Sequence, residues 1–494
     1  MNTKLFFVIY LYSVLVSFTL YGSDRTLPVF TGKPEINPPY IVGNYPSTPF
    51  LHYIPTAGQR PIKWTAQGLP QGLKLDQSTG IISGSVAAKG AYTVTLKAQN
   101  ALGTDERRLV INIGEELLLT PPMGWNSWNT FGRHLTEELI LQTADAMVAN
   151  GMRDLGYSYI NIDDFWQLAE RGADGHIQID KTKFPRGIKY IADYLHERGF
   201  KLGIYSDAAD KTCGGVCGSY GYEETDARDF ASWNIDLLKY DYCNAPHGRV
   251  EAFERYDKMG KALRATNRSI VFSVCEWGQR QPWMWAKKVG GHLWRVSGDI
   301  GDLWQRPATR GGLKGILDIL EINAPLDEYA GPGGWNDPDM LVVGIHGKSS
   351  SIGYESEGCT DEQYKSHFAL WCMMASPLLC GNDVRTMNDS TLQILTNKKL
   401  IAINQDRLGK QAQRSIRADR YDVWVKPLSN GTKAIACFNR TDQPITVEFN
   451  AKTIEGISLD NLSEVTDQHN IVRQKEVLLI KLAPYQCSVF TLGQ

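Results

Sequence analysis

No charge excess of either sign marks this chain of 494 residues: 52 Lys and Arg stand against 54 Asp and Glu, a net charge of -2. Binding to nucleic acid or to an anionic bilayer through the overall field needs a basic surplus, so neither partner is indicated. Cysteine is scarce and odd in number, nine in all and none before Cys213, which excludes a disulfide scaffold and an N-terminal lipid-modified cysteine. The Cys213 and Cys217 pair has no second Cys or His pair at zinc-finger spacing and the His are scattered singly, so neither a metal nor a cofactor is expected. Low-complexity runs and charge blocks are absent. With 43% hydrophobic and 21% charged residues, a disordered, collagenous or multi-span membrane chain is excluded. What is abundant is aromatic surface, 13 Trp and 22 Tyr, costly to keep unless the rings pack a large core or face a ligand.

Leu5 to Tyr21 is almost wholly apolar and uncharged behind Lys4, the layout of a secretory signal with removal near Gly22 or Ser23. The other reading of this segment is a single membrane anchor, for which it is at the lower edge of length. Both put the remainder outside the cytoplasm, and the expectation is an exported chain, periplasmic or secreted, free of the membrane after residues 1–22 are removed.

Three further regions differ in texture. Residues 23–115 contain short alternating stretches, Ile62 to Thr65, Gly80 to Ser83, Ala91 to Gln99 and Arg107 to Ile113, broken by Gly, Pro and Asn turns, which predicts an immunoglobulin-like β-sandwich. Within residues 116–403, eight apolar runs of strand length each end in polar or aromatic residues before a helical stretch. They are Met123 to Ser127, Tyr157 to Asp164, Lys201 to Asp207, Asp236 to Cys243, Ile270 to Trp277, Leu293 to Asp299, Gly334 to Leu341 and Ser376 to Asp383. Eight βα units predict an α/β fold, a (β/α)8 TIM barrel. Helices are predicted at Thr136 to Asn150, with Thr136 as N-cap, and at Arg186 to Gly199. Residues 404–494 alternate again, at Asp422 to Lys426, Ala434 to Asn439, Ile445 to Asn450 and Val477 to Leu482, with Asn430-Gly431 as a hairpin signal, so a C-terminal antiparallel β-sandwich follows.

In a barrel the C-terminal strand ends converge on one site. Here they carry Trp125, Trp128, Asp163, Asp164, Trp166, Tyr205, Asp207, Lys239, Asp241, Glu276, Trp277, Arg295, Asp299, Asp337 and Asp339. Carboxylates with one Lys, one Arg and several indoles suit a neutral polyol, whose hydroxyls accept and donate and whose C–H faces stack on rings. Two carboxylates can divide glycoside hydrolysis between nucleophile and proton donor. Asp241 shares a strand face with Lys239, whose ammonium is expected to keep it ionised, so it is the candidate nucleophile. Asp299, beside Gly298, is the candidate acid/base. Asp207, Asp337 and Asp339 are equally readable as structural acids, and Trp233 and Trp371 as core.

The segments LTPPMGWNSWNTFG, YINIDDFWQ, KLGIYSDAADKTCGG, DLLKYDYCN, SVCEWG, LWRVSGDI and GGWNDPDMLVVG together resemble glycoside hydrolase family 27, the α-galactosidase and α-N-acetylgalactosaminidase family. The resemblance implies a retaining exo-acting α-galactosidase working through a glycosyl-aspartate on carbohydrate substrates, with Asp241 as nucleophile and Asp299 as acid/base. By the same resemblance Asp163 and Asp164 hold the O4 and O6 hydroxyls, Lys239 and Arg295 hold ring hydroxyls, and Trp128 and Tyr205 form an aromatic wall. Cys275, Glu276 and Trp277 meet the sugar 2-position, which favours a plain hydroxyl, and Cys213 pairs with Cys243. Cys275 lacks the partner that many animal members place before the arginine of LWRVSGDI, so a free thiol is expected there. Related specificities on the same machinery are α-N-acetylgalactosaminidase, β-L-arabinopyranosidase and isomaltose-releasing glucanase; a carbohydrate-binding protein without turnover is the reading from another class.

Overall fold

The computed structural model describes residues 30–306, 312–348, 357–450, 452, 458–466 and 470–493. The expected signal segment, 1–22, lies outside them. No helix of the described residues is long and apolar enough to cross a membrane.

Eight strands form the barrel: β1 Met123–Asn126, β2 Tyr159–Asn161, β3 Lys201–Asp207, β4 Leu237–Asp241, β5 Val271–Cys275, β6 Leu293–Arg295, β7 Trp335–Asp337 and β8 Leu378–Cys380. They make one parallel sheet in the order β7-β6-β5-β4-β3-β2-β1-β8, and it closes where Leu341, just past β7, bridges Cys380 of β8. Each falls inside one of the eight predicted runs. The runs overshoot the strands because their last residues, such as Asp163 and Asp164, have already left the ladder to enter the mouth.

Alternation along the strands sorts side chains between the barrel axis and the surrounding helices. In β4, Leu238 and Tyr240 join the large core under the helices, whereas Leu237 and Lys239 face inward. The inward floor is apolar: Tyr159, Leu237, Val271, Leu293 and Trp335 pack with Leu117 and Leu118 of the entering chain. One step of two residues higher, those strands present Asn161, Lys239, Ser273, Arg295 and Asp337, around a cavity of about 30 Å³. The axis therefore changes from hydrocarbon to charge within a single rung, and that rung is the floor of the mouth.

The first predicted helix runs Glu137–Ala149, with Thr136 Oγ1 accepting from Leu139 N at 3.2 Å. The second is Ile188–Glu197, bounded by Gly187 and Gly199 in left-handed conformations (φ 86° and 80°) that a β-carbon would strain. One predicted helical stretch is absent. Between β5 and β6 the chain makes only two 3₁₀ turns, Pro282–Met284 and Ala286–Val289, because this repeat is the shortest and is broken by Gly278, Pro282, Gly290 and Gly291. A hairpin after β2, Gln167–Arg171 with Ile177–Ile179, was not foreseen.

The N-terminal sandwich pairs a four-stranded sheet (Ile41–Asn44, Gly103–Ile113, Gly90–Asn100, Lys63–Gln67) with a three-stranded one (Pro49–Tyr53, Ile81–Ser85, Leu73–Leu75) around Phe50, Trp64, Ile82, Val94 and Ile111. C-terminally, Tyr421–Pro427 and Lys433–Asn439 pair across the Asn430-Gly431 turn inside a five-stranded sheet, which faces a three-stranded sheet containing Ile445–Asn450 and Val477–Leu482. The N-terminal sandwich is clamped to the barrel by Asp154, which accepts from Tyr53 Oη at 2.7 Å and Arg60 Nη2 at 2.6 Å, while Asn37 Nδ2 donates to its carbonyl at 2.9 Å. Asp154→Ala removes the acceptor of Tyr53 and Arg60, leaving the main-chain bond from Asn37 intact, and is expected to cost roughly 1.5–3 kcal/mol, the worth of hydrogen bonds to a charge. The check is a lowered urea midpoint at unchanged slope; a midpoint equal to the parent's would remove the clamp.

Candidate active site

Two cations organise the mouth, and both rise from the charged rung. Lys239 Nζ sits 2.8 Å from Asp163 Oδ2, which also accepts from Asn126 Nδ2 at 2.9 Å. Burial works against this ammonium, yet Asp163 and Asp241 hold its pKa well above the ordinary lysine value. Arg295 Nη2 lies 2.9 Å from Asp339 Oδ2 and 2.9 Å from Asp299 Oδ1, and it too is held above its ordinary value by Asp339 against burial. Asp339 and Phe165 have φ of 75°, and Trp277 of 57°, a left-handed backbone that costs a non-glycine residue energy and marks where the strand ends turn abruptly into the mouth.

Asp241 is buried, with Tyr205 Oη donating to its Oδ2 at 2.9 Å and no hydrogen-bond partner on Oδ1. Lys239 favours the ionised form of this carboxyl, and burial opposes it. Burial pushes the carboxyl up to about 7, against Lys239 and the Cys275 thiol, and with Asp163 and Asp299 adding to the rise. Asp164 is likewise raised by burial to about 6, although Phe165 N and Gly214 N each donate to it at 2.8 Å. Asp337 rises to about 6, again by burial first. Asp299 is different: its side chain is 43% exposed, standing at the lip on the far side of Arg295.

The remaining candidates divide. Trp128 stacks parallel to Phe165, 6.3 Å between ring centres and 6° between planes, as a half-buried wall. Trp125 and Trp166 belong to the core: both are fully buried, their indole N–H groups tied to Asn382 O and Tyr205 O at 2.8 Å. Cys275 faces the axis with Lys239 and Arg295, its thiol 3.7 Å from Arg295 Nη1, and is not disulfide-bonded. Glu276, next along the strand, is fully buried with Oε2 accepting from Arg280 N at 2.7 Å and Nη1 at 3.1 Å. Burial raises it to about 7, and the side chain braces the loop after β5 through Arg280, which lies over Tyr242. Cys213 and Cys243 form a disulfide. The one group of possible metal ligands among the described residues, Asp207, Cys213, Asp241 and Cys243, contains both of these sulfurs, so it offers no thiolate.

These features, an acid-rich mouth at the C-terminal end of a closed barrel with a disulfide on its rim, can be set beside known proteins. A model described as Alpha galactosidase A matches residues 120–406, an Ig domain model residues 33–114, and the α-galactosidase C-terminal β-sandwich model residues 418–492. The chain belongs to glycoside hydrolase family 27. Alpha-galactosidase A of Cellvibrio japonicus is 48% identical over 337 residues, 68% of this chain and 80% of that protein. Among solved structures, a Bacteroides fragilis protein described as a "putative alpha-galactosidase/melibiase" is 78% identical with TM-score 0.92, covering 94% of this chain and 99% of its own. Alpha-galactosidase I of Mortierella vinacea is 33% identical with TM-score 0.69, covering 76% of this chain and 97% of its own.

Sequence reasoning did not single out Asn126, Phe165 or Arg280, and left Asp339 undecided. Asn126 was signalled by its place at the end of β1, on the same face as Gly124; the other three depend on loop paths. Asp207, also left undecided, is fully buried and accepts from Ala209 N and Cys243 N at 2.9 Å each. Burial, then Asp241, raises it to about 9, so the folded state holds a proton that the unfolded chain releases near pH 4. Stability carried by this proton is complete below pH 4 and is lost as pH rises toward 9. Asp207→Asn, which cannot titrate, is therefore expected to gain on the parent as pH rises from 5 to 8, by up to roughly 1.4 kcal/mol per pH unit. Urea melts at both pH values check it, and a pH-independent difference would refute the assignment.

Proposed function

We propose that this protein is a retaining, exo-acting α-galactosidase, and one observation carries the division of labour: Asp241 keeps Oδ1 buried and without a partner while Tyr205 holds Oδ2. A lone pair left free at the floor of a closed mouth is placed to form a bond to a sugar's anomeric carbon. Asp299, half exposed at the lip and bonded to Arg295, stands where a departing oxygen would leave toward solvent. In the first step Asp241 Oδ1 bonds to C1 as the glycosidic C–O bond breaks, and the Asp299 proton passes to the leaving oxygen. In the second, Asp299 takes a proton from water, whose oxygen displaces Asp241, returning the carboxylate and the original anomeric configuration.

The galactosyl hydroxyls meet Asp163, Asp164, Lys239 and Arg295. A neutral sugar has donors as well as acceptors, so it satisfies carboxylates that two cations cannot neutralise. Cys275, facing the same cavity, leaves room for a plain 2-hydroxyl, and Trp128 on Phe165 offers a flat apolar wall to the sugar's C–H face. Export belongs to the same reading: the apolar segment Leu5 to Tyr21 supports it, and so does a disulfide between Cys213 and Cys243, since such bonds persist where thiols are oxidised.

Turnover of p-nitrophenyl α-galactoside, α-N-acetylgalactosaminide, β-L-arabinopyranoside and α-glucoside tests the assignment, and the α-galactoside is expected to dominate. Proton NMR during hydrolysis should show α-galactose appearing first, and an initial β anomer would rule out retention. Asp241→Ala should abolish turnover while galactose binding survives, and Asp299→Ala should lower kcat by roughly 10²–10⁴-fold. Tyr205→Phe removes a donor to Asp241, which favours the protonated form, so the acid limb of kcat/KM is expected to move to higher pH; an unmoved limb would show that another group governs it.

A further inference from the structure

A cavity of about 330 Å³ lies between the N-terminal sandwich and the end of the barrel opposite the mouth. Met123, Tyr159, Lys201 and Val271, the first residues of β1, β2, β3 and β5, all line it, and the sandwich strand Pro49–Tyr53 supplies Leu51 and His52. Because Lys201 begins β3 and Asp207 ends it, roughly 20 Å of strand separates this cavity from the acids of the mouth. Ser83 and Gly84, both exposed, line its outer edge and open it to solvent.

The charges on its wall do not all find partners. Arg153 is paired with Asp154 at 3.3 Å and lies over the Tyr53 ring. Asp236 is held by Arg268 Nη2 at 2.6 Å, His196 Nε2 at 2.7 Å and Leu202 N at 2.9 Å. The Lys201 ammonium has neither an ion pair nor a hydrogen bond among the described residues, and the Tyr159 ring centre lies 5.5 Å away. Burial holds this amine below the ordinary lysine range, with Asp236 acting against the shift and Arg268 adding to it. His52 Nε2 is buried without a partner, and burial, then the Lys201 charge, pushes the ring down to about 3, so the imidazole is neutral. An unpaired ammonium and an unpaired imidazole on one cavity wall are costly to keep while nothing binds them.

We propose that this cavity is a binding site for a small organic monoanion, a carboxylate on a compact apolar body, whose charge pairs with Lys201. The carboxylate accepts from the Lys201 ammonium and from the His52 ring N–H, and a charged acceptor strengthens both bonds. The rest of the wall suits the apolar body: Ile41, Val42, Leu51, Leu119 and Met123 line it. The volume falls within the roughly 300–1,000 Å³ of small-molecule pockets. Such a ligand touches sandwich and barrel at once, and so joins them from a place remote from the mouth.

Calorimetric titration of the full chain with three matched probes tests the site. 3-Phenylpropionate is expected to bind at one saturable site, 3-phenylpropan-1-ol roughly tenfold or more weakly, and 3-phenylpropylamine not at all. Lys201→Met keeps the length and removes the charge, and should weaken 3-phenylpropionate roughly tenfold to hundredfold. His52→Phe keeps the ring and removes its N–H, for a loss of roughly threefold to tenfold, and it decides the matter alone if Lys201→Met does not fold. In both variants p-nitrophenyl α-galactoside turnover should stay within about twofold of the parent's, since neither residue is near the mouth. No binding by the parent, equal binding of the acid, the alcohol and the amine, or an affinity unchanged by the substitution would each overturn the site. The proposal does not rest on the α-galactosidase reading: were the parent inert toward aryl galactosides, the urea midpoint would replace turnover as the control for folding and the titrations would decide as before.

Discussion

Too many carboxylates for the available cations is the constraint around which the mouth is built. Asp163, Asp164, Asp241, Asp299, Asp337 and Asp339 share Lys239 and Arg295, each cation held in short bonds to one acid of the cluster or two. Burial first, with the neighbouring carboxylates adding to it, makes Asp164, Asp241 and Asp337 hold protons more tightly than free carboxyls do. A polyol relieves this state in a way that water cannot fully match, because it brings several hydroxyls already fixed in one geometry. The unliganded site is thus less settled than the same site around a sugar, and its acids are arranged for a neutral guest with many donors.

That constraint passes down the strands to the rest of the fold. The charged rung can sit on the barrel axis only because the rung below is hydrocarbon, Tyr159, Leu237, Val271, Leu293 and Trp335, sealed from beneath by Leu117 and Leu118. Leu117 and Leu118 lead in from the N-terminal sandwich, so the sandwich and the barrel floor are mechanically continuous, and the Asp154 clamp fixes their relative position. Outward residues of the same strands, Tyr240, Val274 and Trp294, fasten the ladder to the helices.

Much of this was legible in the residues. The eight runs and the DLLKYD alternation place Lys239 and Asp241 on one face without any coordinates, and the same alternation, applied to MGWN, would have put Trp125 in the core and Asn126 in the mouth. What could not be read depends on closure of the barrel or on loop paths. Asp339 reaches Arg295 from just past the neighbouring strand β7, Glu276 finds Arg280 through the turn that follows β5, and Phe165 reaches Trp128 where its backbone turns left-handed. The balance at Asp241 is not legible for a related reason: the neighbouring Lys239 can be inferred from spacing, but the depth of burial, the largest influence on this carboxyl, belongs to the assembled fold.

The disulfide joins these levels. Cys213 and Cys243 tie the loop after β3 to the end of β4, and the amides that flank or belong to the bridge are the ones that hold carboxylates from neighbouring strands: Gly214 N donates to Asp164, and Cys243 N to Asp207. The bond therefore fixes the donors that orient two of the buried acids. Such bonds persist where thiols are kept oxidised, so the geometry of the mouth is tied to the redox state of its surroundings.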